Sequence, residues 1–227
     1  MSLWTRIRDA FEALSNGSSL SEVFETLTRP PEKTLAFTIA VIGLGAKMAK
    51  ADGRVTRDEV TAFREVFRIE PSDEAHAARI FNLARQDVGG FESYALAIAK
   101  MFREDKEVLS DLLEGLFYIA AADGVHHPLE DEFLKRISEI FELEPREFNA
   151  IRSRAFPSAT VDPYVVLGVK PDDNLDQIKE KWQQIVRDTH PDRMIARGVP
   201  EEAIKLATNR MVAVNEAWNS IQAERAA

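Results

Sequence analysis

Apolar residues return at intervals of three and four along almost the whole chain, and no stretch alternates apolar with polar residues as a half-buried strand would. That periodicity confines the chain to an all-α fold of packed helices. A short amphipathic helix is expected at the start, with Leu3, Trp4, Ile7, Phe11 and Leu14 on one face, ended by Asn16-Gly17-Ser18-Ser19. A second short helix follows before Arg29-Pro30-Pro31 breaks the chain. From 34 to 51 the residues are apolar on most sides, as in a central helix covered all round. The spacing predicts further helices over 56–67, 72–86, 91–103, 108–122, 128–141 and 145–156.

One segment is repeated. Ala51-Asp52-Gly53 followed by Thr56, Asp58 and Glu59 returns as Ala122-Asp123-Gly124 followed by Pro128 and Glu130, each time leading into an apolar helix. The helices end alike, in Phe67-Arg68-Ile69-Glu70-Pro71 and Phe141-Glu142-Leu143-Glu144-Pro145. Two helix-loop-helix units are therefore duplicated in one bundle. The turn residues Pro157-Ser158-Ala159-Thr160 mark a boundary, which divides the chain into N-terminal helices over 1–30, a helical domain over 31–156, a linker at 157–161 and a C-terminal domain over 162–227.

Composition narrows the function. With 38 acidic against 29 basic residues the net charge is -9, the reverse of what neutralising a phosphate backbone requires, so nucleic acid is not an expected partner. The absence of cysteine removes disulfides, thiol nucleophiles and thiolate metal sites. The run Leu35 to Ala46 is shorter than the roughly 18 to 20 apolar residues of a membrane span, and the start lacks the order of a secretory signal. A cytoplasmic chain without a transmembrane segment is expected, with the helix around Trp4 the one candidate for contact with a membrane surface.

The C-terminal segment carries the most specific pattern. Asp162-Pro163 caps and opens a short helix that Gly168 closes; Asn174 with Gln177 makes a capping box for a second helix, with Ile178, Trp182, Ile185 and Val186 on its buried stripe. Pro191 stops that helix, a long loop runs through Gly198, and a last helix presents Ile204, Ala207, Met211, Val214, Trp218 and Ile221 at helical spacing. The two long helices close as a hairpin whose tip is His190-Pro191-Asp192-Arg193.

Asp162-Pro163-Tyr164-Val165-Val166-Leu167-Gly168, His190-Pro191-Asp192 and Asn215-Glu216-Ala217-Trp218, in this order over 66 residues, resemble the J domain of DnaJ-type co-chaperones. The loop Arg193 to Pro200 resembles the DjlA branch, and the duplicated Ala-Asp-Gly units resemble the TerB (tellurite-resistance-like) helical domain that precedes the J domain there. The resemblance implies a TerB-like bundle followed by a J-domain hairpin that docks on a DnaK-type chaperone and stimulates its ATP hydrolysis, with no chemistry on this chain and no resident cofactor. It assigns the docking role to His190, Pro191 and Asp192, with Arg193 beside them and Lys179, Lys181 and Arg187 as the basic residues of the preceding helix. Where that family usually has a basic pair, this chain has Gln183-Gln184, and Glu180 and Asp188 dilute the charge further, so docking is expected to be weak and salt-sensitive.

The TerB resemblance also brings a divalent-cation reading, with Asp52, Asp58, Glu59, Asp123, Glu130 and Glu132 as candidate ligands and His126 or His127 as a further one. The EF-hand pattern is not met. Against it stands a local role for the same residues: Asp-Gly as helix stop and turn, and Thr56 with Glu59, or Pro128 with Glu130, as helix starts. A stress-response sensing or interaction protein that binds metal through these acidic loops, with a degenerate J-like hairpin, is the alternative function.

Overall fold

The computed structural model describes residues 40, 42–48, 57–58, 60–62, 75, 78, 81–82, 90–124, 127–156, 161–197, 199 and 204–226. Among them every regular element is a helix. The expected helices within 1–30, the first Ala-Asp-Gly unit with Asp52 and Glu59, and 157–160 of the linker lie outside the described residues. Those described within 56–67 and 72–86 are helical.

Residues 42–48 are helical and buried on all sides, including Gly43, Gly45 and Lys47. A Cβ at Gly43 would meet the Tyr94 ring at 3.5 Å, an ordinary contact, and one at Gly45 would meet nothing within 4 Å; Lys47 lies 4.8 Å from the centre of the Tyr94 ring. Around this segment pack α1 (Phe91–Met101), α2 (Lys106–Ala120), α3 (Pro128–Ile140) and α4 (Pro145–Ala155). Helix α2 is the centre of the described bundle, since its apolar residues Val108, Leu109, Leu112, Leu113, Leu116 and Phe117 are all buried. Phe117 meets the rings of Phe148 and Phe156, while Phe91 and Phe133 join α1 to α3 with ring centres 4.4 Å apart.

The second repeat unit takes the form its residues dictate. Ala121–Asp123 forms a single 3-10 turn, Gly124 closes it at φ 73, and Pro128 occupies the first turn of α3. At the far end Glu142 adopts φ 54, a left-handed conformation, so that the Leu143 N–H bonds back to the Ser138 carbonyl and Leu143 enters the core.

In the C-terminal segment, α5 (Pro163–Leu167) starts where the Asp162 carboxylate accepts the Tyr164 N–H at 2.9 Å. It ends at Gly168, with the Val169 N–H returning to the Tyr164 carbonyl. Helix α6 (Leu175–Asp188) opens with both bonds of the Asn174–Gln177 capping box. It pairs with α8 (Ile204–Ala226) through Trp182 and Trp218, stacked at 5.3 Å and 11°, and the Trp182 indole donates to Asn215. Arg225 closes the far end by donating to the Tyr164 hydroxyl.

One expectation is corrected. The stretch after Pro191, read as a long loop, begins as a helix, α7 (Pro191–Ala196). The preceding helix ends at Asp188 with Thr189 as its cap, and the proline opens the next helix instead of merely stopping the last. A proline is tolerated in the first turn, where its missing N–H has no carbonyl to serve.

Gly168 gives a clean test of the local argument. An added Cβ would meet the Ala150 methyl at 3.8 Å, an ordinary contact, so only the φ of 67 opposes it. Gly168→Ala is expected to destabilise the full chain by about 1–2 kcal/mol in urea unfolding, with the midpoint lowered and the slope unchanged.

Candidate functional site

The His190-Pro191-Asp192 triplet forms the corner between α6 and α7. His190 is extended at φ -59 and ψ 131, as a residue before proline must be. Its carbonyl accepts the N–H groups of Arg193 and Met194, so its backbone caps α7. Its ring does the same: Nδ1 accepts the Asp192 N–H at 3.2 Å. A neutral ring that accepts at Nδ1 carries its proton on Nε2. The triplet thus presents two opposite functions, an Nε2–H donor on a ring 61% exposed and a carboxylate 89% exposed. The hydrogen bond from the Asp192 backbone N–H orients the imidazole.

Not every residue expected to join them does so equally. Lys179, Lys181 and Arg187 are all exposed on α6, but helical spacing separates them. Lys179 and Arg187 lie about 80° apart around the helix, while Lys181 lies about 160° from Lys179. Lys181 instead borders a cleft of about 430 Å³ between the hairpin and the bundle, together with Gln184, Asp188, Lys106, Arg146 and Glu147. Arg193 donates to Asp188 at 2.6 Å and ties the end of α6 to α7.

The metal candidates are spread out. Asp58 is exposed on a helical stretch, Asp123 faces His127 at 3.3 Å, Glu130 is buried in the first turn of α3, and Glu132 is exposed. Among the described residues no three His, Asp or Glu side chains gather in a group able to hold a metal ion. Asp52 and Glu59 lie outside those residues, as does His126.

Sequence reasoning missed the ionic cluster beneath the triplet. Asp111 and Glu114 stand one turn apart on α2, and both are buried. Asp111 accepts from Arg197 at 2.9 Å and from Arg210 at 2.8 Å. Glu114 accepts from Arg154 at 3.1 Å and pairs with Arg210. Arg154 also donates to the Val166 carbonyl, so the cluster bridges α2, α4, α5, the end of α7 and α8. The signal was present: Asp111 and Glu114 interrupt the apolar run Val108 to Ala120, and Arg210 falls among Ala207, Met211 and Val214.

Burial alone would raise the pKa of Glu114, but the guanidiniums of Arg210 and Arg154 outweigh it and hold the carboxyl below its ordinary value. Burial works against the Arg210 charge too, and Glu114 and Asp111 more than offset it.

A family model described as tellurite resistance protein TerB matches residues 38–153. The chain belongs to this family. It is also similar over most of its length to curated relatives named co-chaperone protein DjlA. That of Coxiella burnetii is 26% identical over 235 residues, covering 94% of this chain and 82% of the relative. That of Legionella pneumophila is 20% identical over 224 residues, covering 82% and 76%, and that of Haemophilus ducreyi 25% identical over 248 residues, covering 90% and 84%. No solved structure gives a significant match. Among the described residues no helix is long and apolar enough to cross a membrane.

The depressed pKa of Glu114 sets a pH dependence. Its stabilising effect is present above the ordinary carboxylate value of 4.5 and is lost as pH falls through the lower folded value. Glu114→Gln is expected to cost about 3–5 kcal/mol in urea unfolding at neutral pH, and the gap between variant and native chain to shrink once the pH drops below that range.

Proposed function

We propose that this chain is a co-chaperone whose C-terminal hairpin is a J domain that docks on a DnaK-type chaperone and stimulates its ATP hydrolysis. The observation that carries the reading is the corner at His190 and Asp192, where a ring held by the Asp192 backbone N–H and a carboxylate stand exposed side by side on a helical hairpin. The shared name of the relatives supports it.

The expected mechanism follows from the groups. Asp192 takes a bidentate hydrogen bond from an arginine of the partner, and His190 donates from Nε2 to an acceptor beside it. Because the triplet is preorganised, little ordering entropy is lost on docking. Lys179 and Arg187 steer an acidic surface of the ATPase towards the corner. On this reading ATP is hydrolysed on the partner and no bond is broken by this chain. The TerB-like bundle serves targeting.

Single-turnover ATP hydrolysis by a cognate DnaK-type chaperone tests this. The native chain is expected to accelerate hydrolysis and His190→Gln to leave the basal rate. Asp192→Asn loses a charged hydrogen bond worth about 1.5–3 kcal/mol and should weaken half-maximal stimulation roughly ten- to hundredfold. A native chain that leaves hydrolysis at its basal rate would sink the reading.

Salt provides an independent check. With Gln183 and Gln184 in place of charges and Glu180 beside Lys179, few cations remain to steer the encounter. Apparent affinity for the chaperone is expected to be modest and to fall steadily as salt is raised, mainly through the on-rate. Tight binding indifferent to salt would contradict this picture of the interface.

A further inference from the structure

The hairpin's apolar core does not reach its tip. Its hydrophobic core consists of Tyr164, Val166, Leu167, Ile178, Val214, Ala217, Trp218 and Ile221, and includes none of the described residues between 187 and 212. The segment that follows the triplet is buried elsewhere. Met194, Val199, Leu206 and Ala207, each no more than 3% exposed, belong to the bundle's core together with Leu109, Leu112 and Leu113 of α2. The side of α7 away from His190 is therefore seated in the other domain.

A polar contact completes the seat. Arg197 follows the last residue of α7, and its N–H bonds to the carbonyls of Arg193 and Met194. Its guanidinium Nη2 donates to Asp111 at 2.9 Å and to the Asp188 carbonyl at 3.0 Å. Asp188 ends α6 and Arg197 ends α7, so a single side chain spans the base of the corner. Asp111 holds that side chain in place. It is 1% exposed and has its other oxygen committed to Arg210, so the carboxylate that receives Arg197 cannot turn away without leaving the buried Arg210 charge short of a partner.

We propose that Asp111, in the TerB-like bundle, is a positioning residue for the loop that carries His190 and Asp192, so that docking competence belongs to the two-domain unit and not to the hairpin alone. A loop released from Asp111 spends only part of its time in the competent form, which lowers apparent affinity by that fraction and leaves the rate at saturation intact. Loss of His190 itself would instead be felt at saturation. The consequence for stimulation rests on the co-chaperone reading; the ordering of the loop does not.

The test compares Asp111→Asn with Phe133→Leu, which weakens the bundle from the α1–α3 side, both in the full chain. Amide hydrogen exchange at residues 192–197 is the first readout. In Asp111→Asn these amides are expected to exchange at least tenfold faster relative to those of α3, and the half-maximal concentration for stimulation to rise about tenfold at an unchanged maximal rate. Phe133→Leu should speed exchange across the bundle with no preference for the loop. If Asp111→Asn leaves the loop amides protected, or if both variants affect them alike, the proposal is overturned. Should Asp111→Asn fail to fold, Arg197→Met provides the same comparison, since methionine keeps the apolar stem and removes the Nη2 that reaches Asp111 and the Asp188 carbonyl together. Failure of the native chain to stimulate any chaperone would remove the co-chaperone reading, and the exchange data would still decide whether Asp111 orders the loop.

Discussion

Two carboxylates on α2 are withdrawn from water, and the arrangement of the C-terminal segment answers to that fact. Asp111 and Glu114 would each cost several kcal/mol if buried alone. Three guanidiniums, from α4, the end of α7 and α8, meet them, and each brings its own helix to the same place. Such a cluster adds little net stability over well-packed apolar residues, because desolvation consumes most of the Coulombic gain. Its effect is selective. A hydrophobic seam tolerates sliding, whereas a buried arginine displaced by a few ångströms leaves its partner unpaired.

The apolar contacts alongside supply the driving force. Met194, Val199, Leu206 and Ala207 remove themselves from water by joining the bundle's core. Burial without direction and ion pairs with direction therefore act at one interface. What remains outside is the outer rim of the corner, where His190 and Asp192 are exposed. A protein can afford such exposed polar groups in a fixed geometry only where the backbone beneath them is anchored.

Several local features could be read from residue types alone because each depends on neighbours in the chain. The Asn174 capping box, the Asp162 cap, the left-handed Gly168 and Gly124, and the helical stretch buried all round at 42–48 are of this kind. The misreading of Pro191 has the same origin, since proline signals a helix boundary without saying on which side the helix lies. The separation of Lys181 from Lys179 was also latent in the numbering, for residues two apart cannot share a helical face. The ionic cluster was announced only as charges in apolar stripes. Arg210 and Asp111 stand 99 residues apart, and no local rule pairs them.

The sequence by itself determined that the chain is helical, that a unit is repeated along it, and where α5 and α6 start and stop. Those properties follow from periodicity and capping, which act within a few residues. Only the tertiary structure decided that the segment after His190-Pro191-Asp192 is seated in the bundle's core, and that Arg193 is paired with Asp188. These outcomes depend on which buried charge finds which partner and which apolar side chain finds room. That choice is made by three-dimensional packing among residues distant in the chain, where spacing carries no information.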